Sequence, residues 1–182
     1  MNEYKREQKF KNLGILGGAN LILMLLFITG MLLLIPGIEI YRKTIIPLSI
    51  LVLLVTLATA IGAGVFLFFF SSQKLWYLFG VSAAFFGGMA FFLTLYLNRQ
   101  TIDDQGIVED FDIVHRSTMP RSSRSSSGCR QPLININFYG QEKELVFFCQ
   151  HEDLSKRARK VKLNYSKGAF GYAYIISQKL ME

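Results

Sequence analysis

Three long apolar stretches without a charged side chain constrain this chain more than any other feature of its sequence. The first runs from Leu13 to Ile35, about 23 residues. As a helix it would measure roughly 34 Å, enough for a hydrocarbon core of about 30 Å. Pro36-Gly37 is expected to end it. The second runs from Ile45 to Phe70, with Pro47 in the first turn, where a missing N–H costs little. The third runs from Leu75 to Leu97. Only Ser71-Ser72-Gln73-Lys74 separates it from the second, so the two should form a tight helical hairpin. Glu39, Arg42, Lys43 and Lys74 are the only charged residues between Leu13 and Leu97. A buried helix of a soluble protein seldom reaches such length without charge. The whole-chain apolar share of 51% hides this division, because after Asn98 the sequence turns polar.

The expected architecture is therefore a membrane α + β protein. A basic tail (1–12) leads into three transmembrane helices (13–35, 45–70 and 75–97, within a domain 13–99). A small, mostly antiparallel β-domain (100–182) follows. The polar start and the length of the first run speak against a cleavable signal peptide. Tyr41, Trp76, Tyr77 and Tyr96 lie at span ends, where aromatic rings suit the headgroup layer.

Small residues recur every four positions along the spans: Gly14 and Gly18; Ala58 and Gly62; Gly80, Ala84 and Gly88. Such stripes let helix backbones approach closely in lipid, and these residues are the expected helix-packing positions. The polar residues within the spans are neutral, so an ion or proton pathway through this chain alone is not expected. Asn20 is expected to hydrogen-bond across helices.

Basic residues in short loops set orientation. Lys5, Arg6, Lys9, Lys11 and Lys74 fall on one side, and Arg42, Lys43 and Arg99 on the other. The count places the protein in the cell membrane as a multi-pass chain, with a cytoplasmic N-terminus and an extracytoplasmic C-terminal domain.

In that domain, alternation predicts about five strands. One spans about Gly106 to Arg116, carrying Ile107, Phe111 and Ile113. A hairpin spans Pro132 to Cys149, turning within Gly140 to Lys143. A second hairpin carries Val161, Leu163 and Tyr165, then a Ser166-Lys167-Gly168 turn, then Phe170, Tyr172, Tyr174 and Ile176. A partly closed barrel or a compact sandwich would bury so small a core, and an OB-like barrel is one candidate. The Ser- and Arg-rich segment 117–131 reads as a mobile loop.

Chemistry-bearing motifs are sparse. No catalytic residue is identified. His115, Cys129, Cys149 and His151 match a zinc ligand set in number only, since paired ligand spacings are absent, so no metal site and no cofactor are expected. The acidic residues Asp103, Asp104, Glu109, Asp110 and Asp112 lack the order of a calcium loop; Asp110 and Asp112 should face solvent. Lys156, Arg157, Arg159, Lys160 and Lys162 form a basic cluster able to touch anionic lipid headgroups. Nucleic acid is not expected there, because Glu152 and Asp153 lie just upstream. Cys129 and Cys149 fall near one end of the first hairpin and could form a disulfide in an oxidising compartment. These features suggest a non-enzymatic accessory or assembly protein. Membrane lipid and a membrane-protein partner or larger complex would be its contacts. A lipid or small-molecule binder with a pocket between helices and β-domain is the alternative.

Overall fold

The structure, a computed structural model, describes residues 3–71, 73–102, 106–119 and 130–182, with side chains from residue 18 onward. The chain divides into two compact units, residues 1–39 with 48–96 and residues 40–47 with 97–182.

Three helices build the first unit: α1 (Glu3–Lys43), α2 (Leu48–Phe69) and α3 (Leu75–Gln100). Each is long and apolar enough to cross a membrane. Their outward faces stay apolar, with Leu53 68% and Phe68 81% exposed. Lipid suits such a surface and water does not.

The expected end of the first helix is wrong. Pro36 lies inside α1, which continues to Lys43. Gly37 is instead a place of close approach, where a Cβ would stand 2.7 Å from the Phe91 ring. Proline is tolerated within membrane helices because neighbouring groups and local adjustments re-satisfy the backbone. At the second span, Ile45 is extended and Pro47 precedes the helix rather than lying in its first turn. The basic tail is also helical from Glu3.

Two of the small-residue stripes hold only in part. Ala84 and Gly88 are buried, and a Cβ on Gly88 would stand 2.7 Å from the Gly30 carbonyl oxygen. Gly62 is buried against Phe86 and Ser82, and Ala58 is half-buried. Gly80 and Gly18, by contrast, are exposed, with nothing near the position a Cβ would take. Gly14 is helical, but its surroundings lie outside the described side chains. For Gly80 the cause is local. Residues Ala83–Gly87 are π-helical, and the wider turn prevents a four-residue spacing from carrying one face across it. Gly30 is a point of close backbone approach, because a Cβ there would collide with the Ala84 backbone carbonyl. Between α2 and α3, Ser82 Oγ donates to the Thr59 carbonyl at 2.7 Å. Asn20, expected to bond across helices, is exposed and makes no hydrogen bond among the described residues.

The second unit is a six-stranded antiparallel sheet, nearly closed into a barrel. Its strands are β1 (Thr44–Ile45), β2 (Ile107–Thr118), β3 (Pro132–Phe138), β4 (Gln141–Val146), β5 (Lys160–Lys167) and β6 (Ala173–Met181). They follow the order β1-β6-β5-β2-β3-β4. A short helix, α4 (Glu152–Arg157), precedes β5. β2 joins the two halves: Ile107–Asp112 pair with β5 and Ile113–Thr118 with β3, with a register shift between Ile113 and His115. Such a bulge bends the strand and lets a small sheet curl. Ile134, Ile136, Val161 and Leu163 are fully buried at the centre of the barrel.

Six strands replace the expected five because Thr44-Ile45, in the connection between α1 and α2, pairs with β6. β2 extends to Thr118, further than expected, and residues 120–129 of the Ser- and Arg-rich segment lie outside the described residues. The second hairpin departs from strict alternation. A register shift between Asn164 and Tyr165 turns Ala173 and Ile175 inward, whereas Ile176 is exposed and Phe170 sits in the turn.

The seam between the edge strands β1 and β4 closes through side chains. Lys143 on β4 donates to the carbonyls of Thr44 (2.8 Å) and Tyr41 (3.0 Å). Gln178 on β6 donates to the Val146 carbonyl at 2.7 Å. Each carbonyl sits where a closed ladder would have supplied a backbone N–H or where a helix has run out of them.

Candidate functional site

The β3–β4 turn determines the most distinctive site in the barrel. Phe138 faces Gln141, so the turn has two residues, Tyr139 and Gly140. Both have positive φ, 49° and 89°. This conformation normally selects Asn or Gly at the first position, and a residue with a Cβ is disfavoured there by roughly 1–2 kcal/mol. Asn137 Oδ1 accepts the Gly140 N–H at 2.7 Å and helps hold the turn.

The turn lays the Tyr139 ring against Phe138, at a centroid distance of 4.9 Å, and Phe111, at 5.9 Å. Tyr165, 3% exposed, packs edge-on against Phe138 at 4.9 Å. Both phenols converge on Glu109. Tyr165 donates to Glu109 Oε2 at 3.1 Å, Tyr139 donates to the same oxygen, and the two phenol oxygens lie 3.4 Å apart. Burial, followed by the hydrogen bonds to Tyr139 and Glu109, pushes the Tyr165 phenol well above its ordinary pKa. It stays a neutral donor at any physiological pH.

These groups line an open cleft of about 480 Å³, completed by Ile45, Ile107, Gln141, Lys167 and the 171–173 segment. The volume falls in the range of small-ligand sites. Every lining residue belongs to the barrel unit.

Lys143 is the second unusual group. Its ammonium Nζ lies 5.0 Å from the Tyr41 ring centroid and caps two carbonyls. Burial lowers its pKa to about 8, with the charge of Glu144 acting in the opposite direction.

The expected basic cluster runs from α4 through the link at Arg159 into β5, and three of its five charges are matched. Lys156 pairs with Glu152 (3.4 Å) and Asp153 (3.2 Å), Lys160 with Asp112 (3.9 Å), and Lys162 with Asp110 (3.9 Å). Arg157 and Arg159 are exposed. Asp110 and Asp112 are likewise exposed along β2.

Cys149 lies on a 3-10 turn, Cys149–His151, so it shares no strand face with His151. It is disulfide-bonded, and Cys129 lies outside the described residues. Among the described residues no three metal-binding side chains come together.

In the sequence Glu109 stands only in a loose acidic group, and Tyr139 only within the first hairpin, one residue before its expected turn. The one available signal was the Tyr139-Gly140 pair, a tyrosine where a two-residue turn prefers Asn. Compared with family models, curated proteins and solved structures, the chain matches none of them.

Proposed function

We propose that this is a non-enzymatic, membrane-anchored binding module. Its helices hold it in the cell membrane as a multi-pass protein, and its barrel presents the Glu109 cleft to a membrane-protein partner, as an accessory or assembly subunit would. The cleft carries this reading: an open concavity of about 480 Å³ with aromatic walls and one oriented carboxylate. Tyr and Phe are enriched where proteins bind one another, because they offer large area at low entropic cost. Glu109 accepts from two phenols, and burial raises the pKa of the Tyr165 phenol rather than activating it, which supports binding over catalysis.

The pairing of β1 with β6 needs the first interhelical connection and the C-terminal domain on one side of the bilayer, as three crossings provide. Short-loop charges favour a cytoplasmic N-terminus. A disulfide-bonded Cys149 suits an extracytoplasmic barrel.

Gln141→benzoylphenylalanine places a photo-crosslinker at the cleft in native membranes. The expected result is one discrete adduct of higher mass, lost when Tyr139→Ala is added. A chain that yields no adduct and runs as a lone monomer after mild detergent extraction would overturn the partner reading. The cleft volume also fits a lipid fragment or small molecule. In that case native mass spectrometry would find the bound molecule on the purified chain and no protein adduct.

A further inference from the structure

We infer that the barrel cleft binds an organic cation bearing N–H donors, an alkylammonium or a guanidinium, with Glu109 as its counter-ion. The inference rests on the reading of this cleft as the binding site and names the chemistry of what enters it.

The carboxylate supplies the first argument. Two phenols donate to the same oxygen of Glu109, Tyr165 at 3.1 Å and Tyr139 alongside it. That clamp fixes the orientation of the group, while Oε1 has no hydrogen bond among the described residues. A glutamate serving only to keep a surface wet has no need of two immobilising donors. A carboxylate held in one direction on a half-buried residue is a preorganised acceptor.

The rings supply the second argument. Tyr139 and Tyr165, whose hydroxyls hold the carboxylate, both stand edge-to-face against Phe138, at centroid distances of 4.9 Å each. Aromatic faces carry negative potential and attract cations, modestly at an exposed ring such as Tyr139 and more strongly at a buried one such as Tyr165. Glu109 and the rings therefore favour the same sign of charge.

Competing ligands fit less well. An anion meets Glu109. An apolar molecule covers Oε1 without pairing it, which leaves a costly unsatisfied acceptor. Calcium requires six to eight oxygens, and the cleft supplies one carboxylate. A quaternary ammonium has no N–H to give. Lys167 also lines the cleft but is exposed at the end of β5, so its long stem can carry the ammonium into solvent.

Two sources could present this chemistry: a lysine or arginine of a partner chain, or the ethanolamine headgroup of a lipid. The test uses the full chain in phosphatidylcholine nanodiscs with ¹³C-labelled tyrosine. It is titrated with N-acetyl-lysine amide, N-acetyl-arginine amide, glycerophosphoethanolamine and the uncharged isostere N-acetyl-norleucine amide. We expect at least one cationic probe to bind about tenfold or more tightly than the isostere, with shifts at Tyr139 and Tyr165. Glu109→Gln should remove that preference. Tighter binding of the amino-acid amides identifies a partner side chain as the source, and tighter binding of glycerophosphoethanolamine identifies the headgroup; either supports the cation site. Equal binding of charged and uncharged probes to the unaltered protein overturns it, and that comparison needs no variant to fold. A charge preference that survives Glu109→Gln with native tyrosine resonances overturns it as well. The two readings fail separately: absence of any Gln141 adduct in the otherwise unaltered chain speaks against a partner, and absence of charge preference speaks against the cation.

Discussion

The two units solve one problem, close contact between backbones, in opposite ways. In the helical unit contact is made by leaving side chains out: Gly30 lies against the Ala84 carbonyl, and Gly88 lies against the Gly30 carbonyl. In the barrel it is made by reaching across: Lys143 spans the seam to the carbonyls of Thr44 and Tyr41, and Gln178 to that of Val146. Each helix satisfies its own carbonyls, so its neighbours need only fit. A sheet with a two-residue edge strand cannot do so, and long polar side chains supply the missing donors.

The largest effect should come from filling the helical contact. Gly30→Leu forces a side chain into the α3 backbone, and overpacking against backbone costs about 3 kcal/mol or more. Thermal aggregation in detergent should begin well below that of the unaltered protein. A variant with an unchanged melting curve would show that α1 and α3 do not pack at Gly30.

Removing the reach of a seam side chain should cost less. Lys143→Ala removes the donor that the Thr44 and Tyr41 carbonyls share, at about 1–2 kcal/mol. Hydrogen exchange should quicken at β4 and β1 amides and stay unaltered in α2. Uniform acceleration, or none, would contradict local closure by this lysine.

A smaller effect follows from the same lysine's charge. Its folded pKa, about 8, lies below the ordinary 10.5, so the stability it contributes is present above pH 10.5 and is lost as pH falls through 8. The barrel should gain on the order of 1 kcal/mol between pH 8 and 10. Tyr165 acts in the opposite sense: its raised pKa contributes stability below pH 10 that fades at higher pH. Denaturation midpoints of the unaltered protein should rise over pH 8–10, and those of Lys143→Gln should rise less. Equal slopes would rule out burial as the cause.

The smallest effect tests the space around an exposed glycine. A Cβ at Gly80 meets nothing, so Gly80→Ala should stabilise α3 by a few tenths of a kcal/mol up to about 1. A drop in detergent stability would place Gly80 at a contact with another chain.

How much of this was legible depended on the range of the interaction. The three spans were readable because length and lack of charge are local properties. The inward positions of β3 showed for the same reason: Ile134 and Ile136 follow strict alternation and are fully buried. Alternation failed in β6, where a register shift set by β5 reassigned Ile175 and Ile176. Within the chain the four-residue spacing brings Gly80 to no neighbour, because a π-helical turn is invisible to spacing arithmetic. The candidate site was the least legible part. Glu109, Tyr139 and Tyr165 lie on three different segments and meet only through the register of β2 with β5 and the β3–β4 turn. Periodicity says nothing about such pairings.

The two-residue strand β1 also sets a timetable. Thr44 pairs with Tyr174, about 130 residues later in the chain. At ribosomal speed that separation is on the order of ten seconds. During that interval α2 and α3 are made, while Thr44 and Ile45 wait without their strand. The barrel can therefore acquire its last edge only after both later helices have been synthesised. A fragment beginning at residue 100 would also lack β1 and the carbonyls that Lys143 caps. Any attempt to produce the C-terminal domain alone begins with an unfinished barrel.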